Sequence, residues 1–199
     1  IEHAEADDII ARWIALHPND EHVIVSTDSD FYQLVAPNVT IYNGATSQII
    51  TLEGYFDEKM KPIKDKKTGE HKLLGDPGFI LFEKCMRGDP TDNVMSAYPG
   101  VRTKGTAKKV GLIEAYADKD KKGFAWNNMM LQRWTDHENV EHRVLDRYEA
   151  NRTLIDLTAQ PDDIKADIDH KLMSIEPKNK PMIGAQFMKF CGKYELVRL

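Results

Sequence analysis

Acidic side chains are concentrated in three short segments of this sequence. The segments contain Glu5, Asp7 and Asp8, then Asp28 and Asp30, and finally Asp89 and Asp92. Carboxylates that crowd together repel one another and take up protons more readily unless cations neutralise them. If the fold unites the three segments, they predict a bound metal, although each segment alone also fits helix-start or turn-forming acids. Oxygen ligands without Cys or His favour Mg²⁺ or Mn²⁺ over zinc.

Histidine and cysteine offer no competing metal chemistry in this sequence. The seven histidines show no ligand spacing, and only Cys85 and Cys191 could form a disulfide. Two cysteines are too few for a secreted fold built on disulfides. A structural zinc site is therefore not expected, and a reducing compartment is favoured.

The elements predicted around the first two acidic segments would place them at one edge of a sheet. Apolar residues at helical spacing predict a helix over residues 6–14, directly after Glu5. Residues 23–27 are apolar and β-branched, which is typical of a buried parallel strand, and Asp28 and Asp30 follow them. Ligands of open α/β sheets bind outside the carboxyl ends of strands, so these two carboxylates are predicted to face the site.

The rest of the chain is predicted to become mainly helical after a few more strands. Strands are predicted over 39–42 and 48–52, with the turn signal Asn43-Gly44 between them, and an exposed loop or hairpin over the lysine-rich residues 57–75. Asp76-Pro77 predicts the start of a helix that leads to the third acidic segment. Further helices are predicted over 144–155, after Pro161, and over 183–190 with an end at Gly192.

The composition is that of a water-soluble globular protein. The chain has 199 residues, 41% of them apolar and 30% charged, with a mean hydropathy of −0.51. This length allows one domain or two small lobes. No stretch approaches the roughly 20 apolar residues of a membrane span, so an integral membrane protein is excluded. The net charge of −5 argues against a uniformly basic nucleic-acid coat but leaves room for a local basic patch.

The three acidic segments occur in an order and spacing that resemble a known superfamily. Residues 4–8, 26–34 and 88–93 are similar to motifs of the 5′ nuclease superfamily, which includes flap endonucleases and the 5′-to-3′ exonuclease domain of bacterial DNA polymerase I. Within it, the closest resemblance is to the ribonuclease H branch of T-even bacteriophages. The resemblance implies an α/β fold, with the C-terminal part of a PIN-like parallel-sheet nuclease core over 1–86. A helical region containing a helix-three-turn-helix module would follow over 87–199.

The resemblance also implies two divalent ions, Mg²⁺ or Mn²⁺, held by the acidic residues. Their ligands would be Glu5, Asp7, Asp8, Asp28, Asp30, Asp89 and Asp92. The four that match catalytic positions are Glu5, Asp7, Asp28 and Asp30. In such a site one ion lowers the pKa of a water to make the nucleophile, and the pair stabilises the attacking and leaving oxygens of the phosphodiester.

A basic, glycine-containing segment takes the place of the helix-three-turn-helix hairpin of the superfamily. The expected DNA-binding residues are Gly100, Arg102, Lys104, Gly105, Thr106, Lys108 and Lys109. Glycine lets backbone approach phosphate, Thr106 could cap the next helix, and the uninterrupted cations would bind phosphates without reading sequence. The superfamily often holds a potassium ion at this turn. Arg102 and an additional residue before Thr106 depart from the pattern there.

The expected function is that of a structure-selective 5′ nuclease acting in replication. Its substrates would be duplex DNA with a 5′ flap or an RNA primer, including RNA/DNA hybrids, and a replication clamp or single-strand-binding protein would suit it as a partner. We expect a monomer without membrane contact in the cytoplasm, which is the host cytoplasm if the protein is phage-encoded.

An alternative function is a non-catalytic duplex-binding remnant of such a nuclease. The superfamily begins with an Asp-bearing strand and an arch upstream of the first acidic segment, and this sequence starts at Ile1. We therefore expect that an N-terminal part is missing and that the given chain alone is inactive. Retention of the acidic residues argues against the alternative, since a DNA-binding surface gains nothing from clustered negative charge.

Overall fold

The computed structural model describes residues 4–174 and 183–193 of the chain. The first element is helix α1, Ala6–Leu16, as the apolar spacing predicts. Its start is stabilised by Asp8, whose carboxylate accepts a hydrogen bond from the backbone N–H of Glu5 at 3.0 Å. Ile10 and Ile14 pack against the buried core beside the sheet, so the apolar face of α1 is directed inward.

A four-stranded sheet follows α1 and contains the first hydrophobic core. The strands are β1 His22–Val25, β2 Val39–Asn43, β3 Gln48–Thr51 and β4 Gly54–Asp57, in the spatial order β1-β2-β3-β4. Only β1 and β2 are parallel, with Ile24 opposite Ile41, and the other two pairs are antiparallel. Ile24, Ile41 and Ile50 are buried on one face of the sheet. The predicted α/β class is confirmed, and the sheet of the predicted parallel-sheet core contains one parallel strand pair and two antiparallel pairs.

The chain between β1 and β2 carries the second acidic segment. A 3-10 helix, Ser29–Leu34, begins directly after the carboxyl end of β1. Asp28 caps it, since its Oδ1 accepts the backbone N–H of Asp30 at 2.9 Å. Phe31 is buried in the sheet core and anchors this helix. The expected position of Asp28 and Asp30 beside the end of a strand is therefore confirmed.

The second half of the described chain is mainly helical and has its own core. The helices are α2 Pro77–Arg87, α3 Leu112–Ala117, α4 Phe124–Met130, α5 Val144–Ile155, α6 Asp162–Met173 and α7 Ile183–Lys193. Asp76 caps α2 as predicted, with its Oδ1 accepting the N–H of Gly78 at 2.9 Å. Phe82, Leu112 and Met129 are among the buried residues of the second core.

A short β-hairpin interrupts the helical half and was not predicted. Its strands are β5 Arg133–Thr135 and β6 Glu141–Arg143. Asp136 closes the turn by accepting the backbone N–H groups of Glu138 and Val140, each at 2.9 Å. Strands of three residues leave no readable alternation, so this hairpin went unpredicted, whereas the predicted mainly helical character of the second half agrees with the structure.

Helix α6 returns to the first half of the chain. Arg12 on α1 donates two hydrogen bonds to the carboxylate of Asp169 on α6, at 2.5 and 2.6 Å. The division of the chain at residues 86 and 87 stays a prediction. No helix within residues 4–174 or 183–193 combines the length and apolar character that crossing a membrane requires.

Candidate metal centre and nucleic-acid interface

Three carboxylates from two distant segments meet at the end of the sheet. Asp30, Asp89 and Asp92 each offer a carboxylate oxygen, and these oxygens lie within 4.8 Å of one another. Asp30 and Asp89 are half-buried, whereas Asp92 is exposed. The fold therefore unites part of the second acidic segment with the third, although some sixty residues separate them in sequence.

The turn that carries Asp89 and Asp92 is fixed by backbone geometry. Gly88 ends α2 with a φ of 73°, and a Cβ at this position would collide with the carbonyl oxygen of Val94. Asp89 and Val94 exchange backbone hydrogen bonds of 2.9 and 2.8 Å across the turn. Glycine is thus required where the chain leaves the helix, and the closed turn directs both carboxylates to the same side.

Lys84 lies in the middle of this cluster and was missed by the sequence analysis. Its ammonium group forms ion pairs with Asp30 and with Asp89, the latter at 2.8 Å. Burial alone would lower the pKa of Lys84, but its hydrogen bonds to the two carboxylates raise it on balance. The same contact, with a hydrogen bond from Thr91, holds the pKa of Asp89 well below its usual range. Lys84 is an internal counter-ion, and the one available signal was its place in the last turn of α2, four residues before Gly88.

Asp7, at the start of α1, lies near enough to Asp28 and Asp30 to be affected by their charges, but the helix-start acids are not in the group formed by Asp30, Asp89 and Asp92. The pKa of Asp7 is raised by partial burial and next by the negative charges of Asp28 and Asp30, with smaller contributions from Glu5 and Asp8. Asp8 is engaged structurally, since its Oδ2 accepts the Glu5 amide and its Oδ1 accepts the side-chain amide of Gln160 at 2.9 Å. Asp7 is therefore the helix-start residue whose charge the cluster perturbs.

The donor set fits a hard divalent cation. Mg²⁺ binds oxygen at about 2.0–2.1 Å in an octahedron, which holds ligand oxygens up to about 4.2 Å apart. The Asp30, Asp89 and Asp92 oxygens lie within 4.8 Å of one another, a spacing compatible with shared coordination of one ion. Within residues 4–174 and 183–193, the group of metal-ligand side chains that converges contains no His or Cys, in keeping with Mg²⁺ or Mn²⁺.

The basic hairpin forms a compact loop before α3, with a different capping scheme from the predicted one. Glu114 accepts the backbone N–H groups of Gly105, at 3.0 Å, and of Gly111, at 2.9 Å. Helix α3 starts at Leu112, so the expectation that Thr106 caps it is wrong. The Thr106 hydroxyl instead accepts the N–H of Lys109 at 3.1 Å within the loop.

The glycines of the hairpin have separate roles in the structure. A Cβ at Gly105 would collide with the carbonyl of Lys109 and the backbone nitrogen of Gly111, so Gly105 serves close packing inside the loop. Its N–H donates to the Glu114 carboxylate and is therefore already engaged within the loop. Gly100 has a φ of 71° and open space beside it, which leaves its backbone approachable.

The cations of the hairpin are exposed around a polar cavity. Arg102, Lys104, Lys108 and Lys109 are all exposed to solvent. A cavity of about 540 Å³ is lined by Gly100 and by three of these cations, with Lys104 outside it. The hairpin thus presents positive charge and accessible backbone on one surface, which can hold phosphate groups.

Comparisons with known proteins agree with the acidic motifs. No family model matches the chain. The sequence is 29% identical over 187 residues to DNA polymerase I of Rhizobium leguminosarum, covering 90% of this chain and 16% of that protein. It is 30% identical over 126 residues to the flap endonuclease Xni of Shewanella loihica, covering 60% of this chain and 43% of that protein. The chain therefore spans less than half the length of either relative.

Solved structures of T5 proteins are also similar to this chain. A mutant of T5 5′-exonuclease has a TM-score of 0.48 and 18% identity, covering 87% of this chain and 66% of its own. A T5 protein co-crystallised with metal ions has the same score and identity, covering 87% of this chain and 61% of its own. The two sequence relatives confirm the resemblance to the 5′ nuclease superfamily, since this chain is similar to a DNA polymerase I and to a flap endonuclease.

Proposed function

We propose that this chain carries the metal centre and the DNA-binding hairpin of a structure-selective 5′ nuclease, which hydrolyses phosphodiesters in flapped or RNA-primed duplex DNA. The observation that carries the proposal is the convergence of Asp30 with Asp89 and Asp92 beside Asp7. Because folding brings two acidic motifs together, we interpret them as one cation site and not as acids that each stabilise only their own turn. The names of the sequence relatives support the same activity.

The finer features of the activity belong to the same proposal. Two Mg²⁺ or Mn²⁺ ions would be bound, with Asp30, Asp89 and Asp92 holding one and the helix-start acids with Asp28 contributing to the other. When bound, the ions supply a deprotonated water and stabilise charge on the phosphate. Arg102, Lys104, Lys108 and Lys109 would hold the duplex backbone. The proposed role also includes primer removal during replication. We propose that the protein acts as a monomer in the cytoplasm, with a clamp or single-strand-binding protein as its partner.

A cleavage assay on the natural gene product tests this function. The substrates are a labelled 5′-flap duplex and an RNA-primed duplex, with Mg²⁺ or with excess EDTA. Cleavage is expected in the presence of Mg²⁺ and not in excess EDTA. Asp30→Asn should lower the cleavage rate by more than about 100-fold without weakening duplex binding. Asp20→Asn, at an exposed aspartate near β1, is the matched control.

Two outcomes would overturn the assignment. An intact substrate, under conditions in which another 5′ nuclease cuts it, would remove the proposed activity. A parallel loss of cleavage and binding in Asp30→Asn would contradict a metal-binding role for this carboxylate.

The second candidate, a duplex-binding module without catalysis, rests on the exposed cations of the hairpin. It requires duplex binding that does not respond to Mg²⁺ or Mn²⁺. Titration of Mn²⁺ into the protein distinguishes the two, since saturable binding that Asp92→Asn weakens would exclude the passive module.

A further inference from the structure

A groove continues from the basic hairpin across α4 to the start of β5. The hairpin cavity shares Asn128 and Gln132 with a neighbouring cavity of about 500 Å³. The second cavity is further lined by Phe124 and Arg133, among others. The two cavities therefore adjoin at two residues with side-chain amides, and the pair is called the channel.

The charges along this channel have a single sign. Arg102, Lys108, Lys109 and Arg133 are the charged residues that line the two cavities, and none of the lining residues is acidic. The whole chain has a net charge of −5, so this surface differs from the average of the molecule. Arg133 pairs with Glu141 at 2.5 Å, but both side chains are more than half exposed, and such pairs exchange readily for another anion. An anionic partner matches the channel.

The floor of the channel is rigid. Met129 and Met130 are buried in the second core, which fixes the rotation of α4 and leaves Asn128 on its exposed face. The carbonyl of Gln132 accepts the backbone N–H of Val144 at 3.0 Å. The indole N–H of Trp134 donates to the carbonyl of Ala97 at 2.9 Å, which joins β5 to the residues that precede the hairpin. These contacts join α4 and β5 to the second core and to the segment that precedes the hairpin.

The exposed side chains on this floor have helical spacing. Phe124, Asn128 and Gln132 lie four residues apart, and all three are exposed. Phe124 and Asn128 belong to α4, which ends at Met130, and Gln132 follows two residues later at the start of the connection to β5. Side-chain amides donate hydrogen bonds to phosphate and sugar oxygens without carrying charge.

We propose that Asn128 and Gln132, with Arg133 beyond them, extend the nucleic-acid interface from the basic hairpin along α4 and hold the sugar–phosphate backbone of the same duplex. This inference rests on the proposed function, because it takes the hairpin as the place where the duplex is bound. The amides position the strand and the cations supply most of the affinity.

Fluorescence anisotropy with a labelled 20-base-pair duplex tests the extension on the full chain in EDTA. The double variant Asn128→Ala, Gln132→Ala should weaken binding about tenfold at fixed salt, with an unchanged slope of log affinity against log salt concentration. Lys108→Ala should also weaken binding but reduce that slope by about 1. Asn19→Ala, which removes an exposed amide next to α1, is the matched control and should bind normally.

A second variant keeps the result interpretable. Gln132→Glu has nearly the same shape and places a negative charge in the channel, so it should weaken binding more than Gln132→Ala, and added salt should reduce the difference. If the double variant and Gln132→Glu bind within twofold of the unchanged chain while Lys108→Ala is impaired, the extension is refuted and the hairpin interface stands. If Lys108→Ala also binds normally, the hairpin part of the proposed function fails with it.

Discussion

Asn151 is a buried polar residue that connects α5 to the turn of the candidate metal centre. Its side chain is 1% exposed, and its amide donates to the carbonyl oxygens of Cys85 at 2.8 Å and Met95 at 2.7 Å. Cys85 is in the last turn of α2, where carbonyls have no partner within the helix. Met95 follows the turn that carries Asp89 and Asp92. Asn151 therefore holds both ends of the acidic turn.

The substitution Asn151→Leu keeps the approximate shape but removes both donors. A buried carbonyl without a partner costs about 1–3 kcal/mol, and here two are affected, one of them only partly buried. We expect the free energy of unfolding to fall by about 3 kcal/mol. With a urea m-value of about 2 kcal/mol/M, the unfolding midpoint would shift by roughly 1.5 M.

Urea unfolding followed by circular dichroism measures this loss, and Mn²⁺ titration of the folded variant reports on the acidic turn. Thr153→Ala on the same helix removes an exposed hydroxyl that donates to the Glu149 carbonyl, and it should change stability by less than about 0.5 kcal/mol. A loss below about 1 kcal/mol in Asn151→Leu would refute the argument that these carbonyls depend on Asn151. Unchanged Mn²⁺ affinity at reduced stability would show that the turn is held by other contacts.

Three further predictions concern other contacts. Lys84→Met should increase Mn²⁺ affinity in calorimetry, since it removes the ammonium that competes with the ion for Asp30 and Asp89; weaker binding would contradict the counter-ion role. Arg12 lowers the pKa of Asp169, so this contact stabilises the fold above the ordinary carboxyl pKa of 3.8 and is lost as the pH falls below it. The difference in Tm between the unchanged chain and Asp169→Asn should accordingly shrink from pH 6 to pH 3, and a constant difference would argue against this contact. Gly88→Ala should lower Tm by several degrees through strain and collision, and an unchanged Tm would show that the turn adapts.

The predictable part of the fold was carried by strong local patterns. The apolar spacing of α1, the β-branched run of β1 and the Asp76-Pro77 start of α2 each act within a few residues, and the structure has all three. The acidic residues could be identified as candidate metal ligands because carboxylates in this order fit divalent-metal chemistry. The contact of Asp30 with Asp89 and Asp92 is a tertiary result that no local pattern contains.

The missed features depend on partners distant in sequence or on weak local signals. Lys84 is an ordinary helix residue until the chain brings Asp30 beside it, 54 positions away. Thr106 was expected to cap the helix after the hairpin, but Glu114 accepts the backbone N–H groups of Gly105 and Gly111 instead. One carboxylate can accept both N–H groups, and only the folded loop brings Gly105 within reach of it. The strands β5 and β6 are too short to give a period, so their pairing could not be read from spacing.

The ammonium of Lys84 also allows the protein to fold before a metal ion binds. A carboxylate cluster without cations would oppose folding through repulsion, and many metal sites therefore form only when the ion is present. Here the chain brings its own positive charge to Asp30 and Asp89. With the proposed ion at this site, we expect folding not to depend on the metal, so chelator treatment should leave a folded protein that binds Mn²⁺ again.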